Sequence, residues 1–309
     1  MGRGPGGAAA LTSVGWQDRR MRLGLHALGI GDGARRDVID AVAVAAEANG
    51  FDTLWAGEHV VMVDRSSSRY PYADDGQIAV PATADWLDPM VCLGFAAAAT
   101  STIRIATGVL LLPEHNPVIV AKQAASLDVL SGGRLTLGVG IGWSRDEFDA
   151  LGVPFARRGA RTREYVEAMR TIWRDDIASY DGEFTSFEAI RVHPKPFRER
   201  SIPVVLGGNS DGALRRVAAW ADGWYGFYLP DVAAVAERIA FLHKACRERD
   251  RDPAELSLAV ALRSPRPQDV GALADLGVDE LVVVEGASAD VGHAADWVAA
   301  LAERWAPPS

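Results

Sequence analysis

Residues 127–143, LDVLSGGRLTLGVGIGW, decide the fold. With the preceding NPVIVAKQAAS they form a helix with apolar residues at three-to-four spacing, and Ser131-Gly132-Gly133 stops it. Arg134 to Gly140 then alternates and runs apolar, as a buried parallel strand does, and ends in three spaced glycines, Gly138, Gly140 and Gly142. Helix, two-glycine turn and glycine-ended strand make an α/β unit. Glycines at a strand's carboxyl end let a flat ligand approach the backbone, because no Cβ intervenes; they also serve close packing of strand and loop.

Outward from this unit the alternation repeats. Barrel strands are expected at 22–28, 52–57, 103–109, 134–140, 202–206, 223–227, 256–262 and 280–284, each followed by a helical pattern. Eight such pairs imply a (β/α)8 TIM barrel whose active site lies at the carboxyl ends of the strands. Two departures stand out. A polar loop from Val60 to Asp85, carrying Tyr70, Pro71 and Tyr72, follows strand two and reads as a lid. A hairpin is inserted after strand four, within 177–192, with Asp181-Gly182 as its turn signal.

At 309 residues and 49% hydrophobic content, the chain suits one large domain over 21–309. The first twenty residues, rich in glycine and alanine, read as a disordered extension, and Met21 starts the periodic part. A net charge of −9 argues against a nucleic-acid surface, and no apolar run is long enough to span a membrane. Cys92 and Cys246 lie far apart in helical patterns, so the expectation is no disulfide, no metal site and a cytoplasmic location.

The strand ends converge on one mouth. There His59 is the evident proton-transfer residue, beside Glu58, which is placed to hold its tautomer; His26 and His115 are the other histidines near the mouth. Thr107-Gly108-Val109 ends strand three, and Gly140, Gly142 and Trp143 follow strand four. Gly207-Gly208-Asn209-Ser210 opens a helix after strand five and offers backbone amides to an anion, though Asn209 or Ser210 would cap that helix in any case. Arg157, Arg158, Arg161 and Arg163 add positive charge in an acidic protein. Tyr70, Trp86 and Trp224, with Tyr72 and Tyr228, suggest an aromatic substrate pocket. Asp128 and Arg134 flank the LSGG turn and are expected to pair as scaffold. No lysine stands at a strand end to form a Schiff base.

From about Met21 to Trp224 these motifs resemble the signature of the luciferase-like monooxygenase superfamily, in particular its deazaflavin (coenzyme F420) dependent oxidoreductases. The resemblance implies the same barrel, with His59 as catalytic acid or base and Glu58 at the cofactor ring's edge. It implies a cis peptide between Gly108 and Val109 behind the central ring, and a phosphate near Gly207 to Ser210 and the glycines after strand four. Among the arginines, one or two would meet the coenzyme's acidic tail. Deazaflavin sugar dehydrogenases carry a glutamate where this chain has Trp143, which argues against a sugar substrate. The expected activity is hydride transfer between F420 and an organic small molecule. The alternatives are an FMN monooxygenase fed by a separate reductase and a non-catalytic flavin-binding protein. Family members often form homodimers through barrel helices.

Overall fold

The computed structural model describes residues 21–26, 28–198, 200–287 and 290–305. The expected N-terminal extension lies outside the described residues. Eight parallel strands close into a barrel in the order β1 (Arg22–His26), β2 (Thr53–Ala56), β3 (Arg104–Thr107), β4 (Leu135–Val139), β7 (Val204–Gly207), β8 (Gly223–Leu229), β9 (Ser257–Leu262) and β10 (Glu280–Val284), with β10 pairing back onto β1. The fold is the expected (β/α)8 barrel. The inserted hairpin, β5 (Ala178–Asp181) with β6 (Ser186–Ile190), packs outside it. Its connection is longer than the Asp181-Gly182 signal implied, because the Glu164 carboxylate accepts from the backbone N–H groups of Glu183, Phe184 and Thr185 and holds them as a loop.

The surrounding helices start where their caps are written. Asp88 and Asn116 accept from the first-turn amides of α2 (Pro89–Ala99) and α3 (Pro117–Leu130), each with proline at the first helical position, where its missing N–H costs nothing. Ser144 caps α4 (Arg145–Ala150), Ser210 caps α6 (Asp211–Trp220) and Asp231 caps α7 (Val232–Arg247). The remaining helices are α1 (Arg36–Ala48), α5 (Arg158–Arg174), α8 (Asp269–Asp275) and α9 (Val291–Trp305). The main core lies between this ring and the strands, and a second, smaller one fills the barrel interior around Trp55, Val205, Tyr225 and Val282.

One scaffold pairing differs from expectation. Asp128 and Arg134 do not pair: Asp128 accepts from the Phe197 N–H, while the Arg134 guanidinium donates to the carbonyls of Ala97, Thr100, Ile103 and Ser131. A planar five-donor group answers several orphan carbonyls at once better than it answers one carboxylate. Inside the barrel, Glu280 accepts from Trp55 Nε1 at 2.8 Å, Arg104 at 3.1 Å and Thr53 at 3.2 Å, which closes the amino-terminal end with a satisfied buried carboxylate.

The loop after β2 lies across the opposite end. Ser66, Ser67 and Ser68 all donate to the Asp146 carboxylate, and Arg263 of the β9 end bonds Asp74 and the Tyr72 carbonyl. These ties hold Tyr70 and Tyr72 over the barrel mouth.

Candidate active site

Under that loop the mouth encloses a cavity of about 310 Å³. The expected residues Glu58, His59, Tyr70, Trp86, Gly108, Val109, Trp143, Gly207 and Gly208 all border it. The Gly108–Val109 peptide is cis.

His59 is held in place by a residue that the sequence did not single out. Its Nδ1 lies 2.8 Å from Glu147 Oε2, with the two side chains 7% and 1% exposed, and Glu147 Oε1 accepts from the N–H groups of Val60 and Val61. The ring stands edge-on to Trp86 at 4.9 Å and Trp143 at 5.6 Å. A carboxylate can only accept, so Nδ1 donates, and a neutral His59 then presents a bare Nε2. Nε2 has no partner among the described residues. Glu147 stands three residues after Ser144, the capping-box spacing, and the Ser144 half of the box forms, with its Oγ accepting from the Glu147 N–H. The carboxylate leaves the box for His59.

Glu58 does not hold the His59 tautomer, contrary to expectation. It borders the cavity, but its carboxylate accepts from the Leu111 N–H and from His115 Nε2 at 3.0 Å, away from His59. Burial disfavours the charged ring of His115, yet the Glu58 carboxylate outweighs it and raises the pKa.

Trp224 is also corrected: it is fully buried outside the cavity, packed in the main core with Nε1 donating to the Gly208 carbonyl. Thr107, Gly140, Gly142, Asn209 and Ser210 sit just behind the lining. The Thr107 hydroxyl donates to the Gly138 carbonyl, and a Cβ on Gly140 or Gly142 would strike Val109 Cγ2 at 2.6 Å or Phe148 Cε2 at 2.4 Å. Asn209 bonds both backbone groups of Phe227, and Ser210 caps α6. The Asn209 contact lies in a bulge of β8, where the register shifts between Gly226 and Leu229 and Tyr228 adopts φ +57. Such a bulge re-aims side chains, here Phe227 and Tyr228, which both border the cavity.

Of the four clustered arginines, Arg157 and Arg163 pair with Glu183 and Glu167, and Arg161 donates to the Pro154 carbonyl. Arg158 donates to the Gly142 carbonyl and lies over Phe155 at 3.8 Å, with Arg145 over the same ring at 4.4 Å. Arg216 of α6 was not foreseen. Its Nε is buried without a partner among the described residues, and its Nη1 lies near the first turns of α5 and α6. Burial, then the neighbouring arginine charges, lowers the pKa of both Arg158 and Arg216. Three guanidiniums gathered beside a capped helix N-terminus suit an anion.

Near Glu147 and Glu58, both carboxyl oxygens of Glu114 are buried without partners among the described residues. Burial, then the charges of Glu147 and Glu58, pushes its pKa from the ordinary 4.5 up to about 9. The folded chain thus keeps a proton that the unfolded chain releases above pH 4.5, so this group's contribution to stability is complete in acid and is lost as pH rises toward 9. Thermal melts should show wild type losing stability between pH 5 and 9, with Glu114→Gln abolishing at least ~2 °C of that loss. A wild-type-to-Gln difference that stays constant over this range would show that Glu114 is ionised throughout.

The sequence profile of the luciferase-like monooxygenases matches residues 22–265. An uncharacterised protein of Mycobacterium tuberculosis is 37% identical over 243 residues, 78% of this chain and 85% of that one. An FMNH2-dependent dimethylsulfone monooxygenase of Pseudomonas putida is 34% identical over 131 residues, 41% of this chain and 36% of the enzyme. The coenzyme F420 dependent tetrahydromethanopterin reductase of Methanopyrus kandleri superposes with a TM-score of 0.71 at 17% identity, over 92% of this chain and 98% of that one, which shows the shared fold. With a profile match spanning all but the last two barrel helices and the final strand, the chain belongs to the luciferase-like monooxygenase family.

Proposed function

We propose that this oxidoreductase binds deazaflavin coenzyme F420 in the barrel mouth and takes part in hydride transfer between the coenzyme and an organic substrate, with His59 giving or taking the accompanying proton. The observation that carries the reading is the His59–Glu147 pair at 2.8 Å, buried between two tryptophans at the cavity wall and leaving Nε2 without a partner among the described residues. The residues present fit such a group. Gly108, Gly207 and Gly208 line the cavity as bare backbone, where a Cβ would sit only 3.0–3.1 Å from Trp55, Val109 and Ala213, and the orphaned Arg216 Nε, with Arg158 and Arg145, answers a phosphate.

When bound, the coenzyme supplies the hydride chemistry. The chain does the rest. Glu147 fixes the tautomer of His59, so that Nε2 accepts a proton when the ring is neutral and donates one when it is charged. Tyr70, Tyr72 and the Ile78–Val80 segment cover the mouth and keep water from the reacting atoms. Trp143, in the place of a sugar enzyme's glutamate, gives the cavity an aromatic wall beside His59 and disfavours a sugar.

A second reading, an FMN monooxygenase supplied by a separate reductase, draws support from the 34% identity to the dimethylsulfone monooxygenase. A storage protein would have no use for the His59–Glu147 pair. The expected homodimer finds support in the exposed apolar side chains of α2 and α3, where Val91, Phe95, Ile119 and Leu130 are 43–82% exposed. Equilibrium titration of the purified chain with F420 and with FMN, followed by fluorescence, tests the coenzyme: F420 is expected to bind the tighter.

A further inference from the structure

His26 ends β1 deep in the barrel and is 7% exposed. Its Nε2 stands 3.1 Å from the point where a side chain on Gly57 would begin, and its Cε1 stands 3.2 Å from the same point on Gly108. All three residues border the cavity. Because both neighbours are glycines, no side chain crowds the imidazole from these two positions, and the ring itself borders the cavity.

Its other nitrogen, Nδ1, lies 3.1 Å from the Tyr225 hydroxyl. Tyr225 is 1% exposed and stacks on Trp55 at 4.5 Å, and His26 is the only hydrogen-bond partner of its hydroxyl among the described residues. Burial pushes the His26 pKa down to about 4 and that of Tyr225 well up, so both groups are neutral at pH 7. A buried phenol O–H without an acceptor is costly, and Nδ1 is the acceptor at hand, so the hydroxyl donates to it. An imidazole that accepts at Nδ1 carries its single proton on Nε2. That N–H has no acceptor among the described residues.

We infer that His26, with its tautomer fixed by Tyr225, donates a hydrogen bond from Nε2 to a carbonyl oxygen on the pyrimidine-dione edge of the ring cofactor, and that this contact favours the reduced ring. The inference rests on the ring-cofactor reading above and holds for F420 and FMN alike, since both carry that edge. Reduction moves negative charge onto the N1–C2 carbonyl part of the ring, and a donor to a charged acceptor forms the stronger bond. The glycine-lined approach suits a flat ring edge, whereas His59 is flanked by Trp86 and by Trp143, which meets Tyr70 of the lid. Tyr225 acts through His26 and is a positioning residue.

Anaerobic titrations with oxidised and reduced F420 and FMN, on wild type, His26→Leu, His26→Gln and Tyr225→Phe, test this. His26→Leu is expected to weaken binding of the reduced cofactor at least tenfold more than binding of the oxidised form. His26→Gln, which keeps an N–H donor, should recover part of that loss. In Tyr225→Phe the ¹⁵N shifts of the His26 ring should move from the Nε2–H form to a tautomer mixture, a change that a purely structural role for the hydroxyl would not produce. Unchanged reduced-to-oxidised ratios in folded His26→Leu and His26→Gln would overturn the inference. So would lost substrate affinity with intact cofactor binding, which would assign the donor to the substrate. Wild type binding neither cofactor in either form would overturn the ring-cofactor reading itself, and this inference with it.

Discussion

Glu147→Gln should lower turnover roughly 10²-fold or more while leaving coenzyme affinity within a few-fold, because it withdraws oriented acid-base catalysis and touches little else. The glutamine carbonyl still answers the N–H groups of Val60 and Val61, which Glu147 Oε1 serves in the wild type. Its amide nitrogen then faces His59 Nδ1, at the 2.8 Å position where the carboxylate accepts. Two donors cannot share that line, so the ring proton moves to Nε2 and the base at the cavity becomes a donor. His59→Ala should cost about as much, and the double variant little more than either, since the two residues act as one unit. The loss should appear in kcat with KM nearly unchanged. A Gln variant with wild-type kcat would remove His59 from the chemistry.

Gly138→Ala should be the most destabilising small substitution in the barrel, costing about 3 kcal/mol or more in urea unfolding. A Cβ there would lie 2.0 Å from the Thr107 carbonyl oxygen and 3.2 Å from its carbon, both backbone atoms. The Gly138 carbonyl is itself fixed, accepting from the Leu110 N–H at 2.8 Å and the Thr107 hydroxyl at 2.7 Å. Neither strand can yield without breaking the bonds that shape the wall behind Val109. Gly140→Ala meets the side chain of Val109 instead and should be milder. Stability of Gly138→Ala within about 0.5 kcal/mol of wild type would show that β3 and β4 are not packed this closely.

The barrel was legible in the sequence because parallel strands buried on both faces are written as apolar runs ended by glycine, and the intervening helices carry their own caps. The same property hides which way each strand residue points. In GWYGF both faces are apolar, and nothing in the pattern separates Trp224, which faces the helices, from its neighbour Tyr225, which faces the barrel interior. His59 could be found because a strand end places it. Glu147 could not, because its role depends on the turn after β2 reaching the first turn of α4, 88 residues away in sequence. Arg216 was hidden for a related reason: on α6 it reads as a solvated helix charge, whereas the folded chain buries its Nε and brings its Nη1 near Gly159 of α5.

The claim that this mouth is built for a deazaflavin is tested most directly by equilibrium titration of wild-type protein, free of added reductase, against F420 and FMN in parallel. Saturable quenching by F420, with FMN at least ~10-fold weaker, a gap of about 1.4 kcal/mol, is the predicted result. Tighter binding of FMN would contradict the deazaflavin reading and favour the FMN monooxygenase reading in its place.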